Sequence, residues 1–255
     1  MTASSTHPKH HHGAKGLWIR ARFWVVAVGM GMIAAAAITA LCAWLLIRSA
    51  PSWWNTVHTA TPQSENVGRE IENAVVNQLH AQRPPGEVWS VALTQDDAND
   101  WLSTRLVKWL QNRDNSVDWS TTIQRAAISF KPGSITLGLS IRTDRADDGH
   151  VLTLELIPSI DEQGRLWLLA SELAIGRLPL PLGMVASDSG LLRSFLPRGV
   201  DDGAGAVLTA LAGKEPLAQR AAAKLGDNRT VRLTALEVRD GRIDLTCTTE
   251  PAAPR

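Results

Sequence analysis

Three hydrophobic patterns succeed one another along this chain: an unbroken apolar run, then helical spacing, then alternation. From Phe23 to Ile47 there are 25 residues without a charge. At a 1.5 Å rise per residue such a run makes a helix roughly 37 Å long, enough to cross a hydrocarbon core of about 30 Å with some tilt. Val67, Ile71, Ala74, Val75 and Leu79 then recur at helical spacing. Thr61-Pro62 supplies an N-cap and a first-turn proline, and Pro84-Pro85-Gly86 is a stop, so a helix is predicted over 62–82. A short strand over 87–93 follows. Ala98, Trp101, Leu102, Leu106, Trp109 and Leu110 form a second apolar face and predict a helix over 95–112.

The second half alternates with period two. Ile128-Ser129-Phe130-Lys131-Pro132-Gly133-Ser134-Ile135-Thr136-Leu137 is matched position for position by Leu236-Glu237-Val238-Arg239-Asp240-Gly241-Arg242-Ile243-Asp244-Leu245. Ile160 through Gly164, Leu166 and Leu168 share the second half of that pattern. Each reads as a hairpin with glycine at the turn and one apolar face. Leu152, Leu154 and Leu156 add another strand, after a polar turn at Asp147-Asp148-Gly149-His150. Alternation predicts that the opposite face is wet. Gly176-Arg177-Leu178-Pro179-Leu180-Pro181 holds two prolines two apart, so it is an edge or an extended exit. In the less regular stretch 183–225, Val207, Leu208, Leu211, Leu217, Ala221 and Leu225 predict helix interrupted near Gly213 and Pro216. The class is α+β: one transmembrane helix, then a curved antiparallel meander packed against amphipathic helices.

Charge orients the apolar run. The 22 residues before it hold Lys9, Lys15, Arg20 and Arg22 and no acid, while the flank after it holds Arg48 and then no charge until Glu65. Basic residues stay on the cytoplasmic side, so residues 1–22 are expected inside and the main domain outside a bacterial inner membrane. A cleaved signal has a shorter apolar region and a small-residue exit. Arg48-Ser49-Ala50 puts an arginine at that exit, and Leu41 before Cys42 argues against lipidation there. Trp18 and Trp24 near one end, with Trp44, Trp53 and Trp54 near the other, fit interfacial aromatic belts. The expected organisation is a basic, His-rich tail over 1–22, a span over 23–47, a connector over 48–61, an extracytoplasmic domain over 62–250 and a disordered tail over 251–255.

Composition narrows the chemistry. The chain has 26 basic and 25 acidic residues; setting aside the four basic residues of the arm leaves 22 against 25. That balance is no footprint for nucleic acid. Cys42 lies in the apolar run and Cys247 alternates with Ile243 and Leu245, so Cys247 reads as a buried apolar residue and no disulfide is expected. Thr94-Gln95-Asp96-Asp97 is a capping box: the Thr94 hydroxyl accepts from the Asp97 amide, and first-turn acids suit the helix dipole. Those acids lack the glycine and distal glutamate of a calcium loop. There is no G-x-S-x-G, H-E-x-x-H, phosphate-binding loop or dinucleotide fingerprint. His58, His80 and His150 stand apart in sequence, and nothing positions a triad. His7, His10, His11 and His12 form a tail suited only to incidental metal binding. No catalytic residue, metal or cofactor is expected.

The span, the Leu93-Thr94 helix entry with Asn99 and Trp101-Leu102, the glycine hairpins and the Gly176–Pro181 segment together resemble uncharacterised bacterial membrane-anchored proteins of the YpmS type. More distantly, they are similar to extracytoplasmic lipid-binding (TULIP-like) modules, in which a long curved sheet wraps a helix around an apolar groove. That resemblance covers roughly residues 60–182 and the final hairpin, and it implies no catalytic residues. It implies a membrane-anchored envelope protein whose partner is membrane lipid, bound by burying acyl surface at about 25 cal/mol per Å². The groove candidates are Ile128, Phe130, Ile135, Leu137, Leu152, Leu154 and Leu156. The alternative is an envelope scaffold or assembly factor that binds another protein through a sheet edge or Pro179–Pro181.

Overall fold

The computed structural model describes residues 14–56, 61–113, 123–143, 146–181, 209–226 and 229–250. The His-rich tail, the 251–255 tail and residues 182–208 lie outside the described residues. The chain forms two compact units, Met1–Leu45 and Leu46–Arg255. The first is helical. Helix α1 runs Ala14–Arg48, begins nine residues before the uncharged run, and contains a stretch long and apolar enough to cross a membrane.

In the second unit a 3-10 turn, Ser52–Asn55, precedes α2, Pro62–His80. Thr61 caps α2 by accepting from the Ser64 amide at 3.1 Å, and Pro62 opens it. At its far end Arg229 donates to the carbonyls of Ala81 and His80, at 2.7 and 3.0 Å. A cation there satisfies orphan carbonyls and complements the dipole. Strand β1 is Val88–Thr94. The capping box forms as read: Thr94 Oγ1 accepts from the Asp97 amide at 3.2 Å and starts α3, Gln95–Thr104. A cap of this kind contributes about 1 kcal/mol. The predicted single helix over 95–112 breaks at Arg105, and α4 resumes at Leu106–Arg113. Helices α2 and α3 pack closely at Gly68, where a Cβ would sit 2.6 Å from Thr104 Oγ1. Ion pairs Arg105–Glu72 at 2.7 Å and Lys108–Glu65 at 2.8 Å flank that contact.

The strands make two antiparallel sheets. Strands β2 (Ile123–Lys131), β3 (Ser134–Thr143), β4 (Ala146–Ile160), β5 (Leu166–Ile175) and β6 (Leu178–Leu180) form a five-stranded meander in chain order. Strands β7 (Ala222–Lys224), β8 (Thr230–Arg239) and β9 (Arg242–Glu250) join β1 in the order β1-β9-β8-β7. Residues Asp147–His150, read as a turn, lie within β4, because pairing with β3 continues to Thr143 opposite Ala146. Residues Leu217 to Leu225, read as helix, instead cross between the sheets. Leu166 and Ala218 exchange both backbone hydrogen bonds, and Ala222–Lys224 pairs with β8. The two sheets between them bond the backbone groups of this segment, and that outweighs the helical spacing of its apolar residues. The edge reading of the Leu-Pro-Leu segment holds: β6 is three residues long and terminates the meander.

The internal repeat has a structural meaning. Hairpins β2–β3 and β8–β9 meet turn to turn with reciprocal bonds. Gly133 N–H donates to the Val238 carbonyl at 2.9 Å, and Gly241 N–H donates to the Phe130 carbonyl at 3.1 Å. Gly133 corresponds to Gly241 and Phe130 to Val238 in the repeat, so the contact is pseudo-twofold. Both glycines have positive φ, 79° and 67°, which side chains resist. Around this contact Ala98, Phe130, Val238 and Ile243 form a core, with Leu93, Ile128, Ile135, Leu236 and Leu245 packed against it. A second core of Trp89, Val231 and Cys247 joins the other sheet to Leu79 of α2. Cys247 is buried as read, and that burial pushes its thiol upward from the ordinary value.

The β4–β5 turn is locked by one carboxylate. Asp161 accepts from Trp167 Nε1 at 2.8 Å, from the Arg165 amide at 2.9 Å and from Arg165 Nε at 2.6 Å. Partial burial opposes its ionisation, but these donors outweigh it and hold the carboxyl at about 2.

Candidate functional site

Register assembles the groove candidates into one apolar face. Ile128 pairs with Leu137, Leu137 with Leu154, Leu154 with Leu173 and Leu173 with Leu180, so a single apolar row crosses all five strands. A second row runs Ala126, Leu139, Leu152, Ile175 and Leu178, and a third runs Phe130, Ile135, Leu156 and Ala170. The face is not uniform. Phe130, with Ile128 and Ile135, belongs to the filled core beside α3, and Leu156 is buried. Leu137, Leu152 and Leu154 remain partly exposed, as do Leu139, Ile175, Leu178 and Leu180. Sequence reading passed over Leu139, Leu173, Ile175, Leu178 and Leu180. Their signal was the same alternation continued into β5 and β6.

The opposite face is not wet throughout. Ser134, Thr136, Ser140 and Thr153 are buried on it. Its middle is covered by the tryptophan pair that follows α1. Trp54 is 5% exposed and packs with Ala127 and Val151. At Gly138 a Cβ would stand 2.6 Å from Trp54 Cζ3 and 2.7 Å from Trp53 Cη2, so only glycine leaves room for the rings. Trp53 meets Trp54 edge to face at 5.8 Å. Arg125 lies 4.6 Å over the Trp54 ring and donates to the Trp54 carbonyl at 3.0 Å. Trp54 is thus a core residue, not a member of a lipid-facing belt. Trp44 is exposed on α1; the side chains of Trp18 and Trp24 lie outside the described residues.

Beside Trp53, on this same face, is a cleft of about 210 Å³. Lys131, Thr136, Thr153, Glu155, Glu172 and Arg177 line it together with the Pro51–Trp53 segment. Sequence reading missed it because those side chains alternate with the leucines and read as solvated. The chain from the end of α1 is also fixed at its rim: Arg177 N–H donates to the Leu46 carbonyl at 2.9 Å. Gly176, at φ 60°, has no room for a Cβ beside the carbonyls of Leu46 and Ile47.

The edges of the meander are blocked at particular residues. On β2, Asn99 acts as a peptide group: its Nδ2 donates to the Ile128 carbonyl at 2.9 Å and its Oδ1 accepts from the Ile128 amide at 2.7 Å. Gln95 Oε1 accepts from the Phe130 amide at 2.9 Å. On β6, Pro179 has no N–H to offer a further strand.

No known protein family and no curated protein matches this chain. Among solved structures, a crystal structure of lipopolysaccharide binding protein is similar over 72% of this chain and 48% of that protein, at 11% identity and a TM-score of 0.25. The chain spans about half the length of that protein, and a likeness this faint carries no argument about function.

Proposed function

We propose that this protein is a membrane-anchored, non-catalytic module that binds acyl chains on the apolar face of its five-stranded sheet. The observation that carries the reading is the unbroken row Ile128–Leu137–Leu154–Leu173–Leu180, in which Leu137 and Leu154 remain partly exposed while Leu173 is buried. No polar side chain interrupts that row, so an occupant must be apolar along its length. Burying acyl surface releases about 0.8 kcal/mol per methylene relative to water. A chain drawn from a bilayer was not in water, so the face exchanges one apolar environment for another. It shields an acyl chain rather than trapping it. The rival reading, strand addition by a partner protein, is disfavoured by the closed edges at Asn99, Gln95 and Pro179.

Native mass spectrometry of detergent-extracted protein is expected to show co-purified lipid. Leu154→Trp and Leu137→Trp separate lining from filling. At a lining position the melting temperature stays close to wild type and the lipid is displaced. Destabilisation by about 1–3 kcal/mol at both positions, as overpacking a filled core produces, with no lipid in the wild type, rejects the reading in favour of an anchored scaffold. The proposed topology follows from the basic arm before α1. A cytoplasm-dependent reporter should be active when fused before Phe23 and silent when fused after Arg255; activity at Arg255 reverses the orientation.

A further inference from the structure

The cleft on the polar face has features that the acyl reading leaves unused. Register sets Glu155 directly opposite Glu172, and like charges so placed repel. Neither carboxylate has an ion-pair partner among the described residues. Thr136 stands in the same row, opposite Glu155. It is 7% exposed, and its Oγ1 has no hydrogen-bond partner. A buried hydroxyl left so is costly until something bonds it. Trp53, Lys131 and Arg177 complete the lining.

This chemistry asks for a cation between the glutamates. A hard metal ion takes 6–8 oxygen ligands, commonly several carboxylates. Among the described residues no group of three His, Cys, Asp or Glu side chains exists to hold one. An organic ammonium is satisfied by two carboxylates, a hydroxyl and an aromatic wall. The volume, about 210 Å³, lies below the roughly 300 Å³ at which sites for drug-sized ligands begin. We propose that the cleft binds a small zwitterion: Glu155, Glu172, Thr136 Oγ1 and the Trp53 ring receive its ammonium end, and Arg177 or Lys131 its anionic end. The site is on the opposite face from the acyl rows and does not depend on them. A lipid head group and a free aminoalkyl phosphate share this chemistry.

The test is calorimetric titration of the full chain in detergent with O-phosphoethanolamine. Saturable binding is expected, weakened at least about tenfold by Glu172→Gln and by Thr136→Val, as loss of a charge-assisted contact implies. Glu172→Gln should melt no lower than wild type, because it removes a repulsion, so its lost binding is not lost folding. Inorganic phosphate or ethanolamine alone should bind more weakly than the joined molecule. Absence of wild-type binding overturns the assignment. So does equal binding by phosphate alone, which marks an anion site only, or undiminished binding by Glu172→Gln. Repeating the titration in phosphatidylethanolamine and phosphatidylglycerol nanodiscs distinguishes the sources. Occlusion in the former alone supports the site with a lipid head group as its ligand; undiminished binding in both supports it with a soluble zwitterion.

Discussion

Replacing Trp54 with alanine is expected to destabilise the folded unit by about 4 kcal/mol, within the range for deleting a buried tryptophan ring. Its ring fills the space over Gly138, against Ala127 and Val151, and Ala127 is wholly buried beneath it. Removal opens a void that neighbours cannot close, because the β2–β3 ladder below is fixed by backbone pairing. It also strips the surface on which Arg125 stacks. A double-mutant cycle makes the claim specific. In wild type, Gly138→Ala forces a Cβ into the rings and should cost about 1–3 kcal/mol. With Trp54→Ala already present, much of that clash is gone, so the double variant should be more stable than the sum of the singles predicts. Strict additivity in urea melts would mean that the ring does not rest on Gly138.

That contact also shows where sequence reading stops. Helix starts were legible because a cap is local chemistry: Thr61 and Thr94 each bond an amide three residues on. Hairpin turns were legible because Gly133 and Gly241 occupy a backbone region that excludes side chains. The apolar face was legible from alternation alone, and register confirms that its candidates share one side. The fate of the polar face was not. Alternating Ser134, Thr136, Gly138 and Ser140 reads the same whether water or a tryptophan covers it. Periodicity reports which residues share a face, not what lies against that face. The usable signal was Gly138 itself, since a glycine inside a strand marks close approach by another group. Trp53 and Trp54, 84 and more positions earlier, satisfied a belt pattern equally well.

The repeat illustrates the same limit from the other side. Its two copies were visible, but nothing local states that two hairpins will dock turn to turn. That arrangement brings the β2 edge of one hairpin and the Gly241 turn of the other beside the start of α3. Gln95 N–H donates to the Gly241 carbonyl at 2.8 Å while its side chain serves Phe130. The first turn of α3 therefore binds both hairpins at once, which explains why the capping box immediately follows β1. A helix start fixed at Thr94 sets Gln95 and Asn99 one turn apart on the face toward β2.

Asn99→Ala is expected to cost about 3 kcal/mol, because it removes the partners of both backbone groups of Ile128, and each orphaned group costs roughly 1–3 kcal/mol. Asn99 is 7% exposed, and Ile128 lies beside a filled core, so water cannot readily replace the lost bonds. The geometry requires a donor and an acceptor together: Nδ2 serves the Ile128 carbonyl and Oδ1 the Ile128 amide. Asn99→Asp keeps the shape and loses the donor, setting a carboxylate against a carbonyl. It should be at least as destabilising as alanine at neutral pH. Its stability should recover as pH falls, because the protonated acid regains an O–H to donate: the folded state favours the protonated form, so the bond is present at low pH and lost as pH rises. Urea unfolding of both variants across pH checks this. If Asn99→Asp tracks Asn99→Ala at every pH, the side chain fills space at β2 and does not complete its ladder.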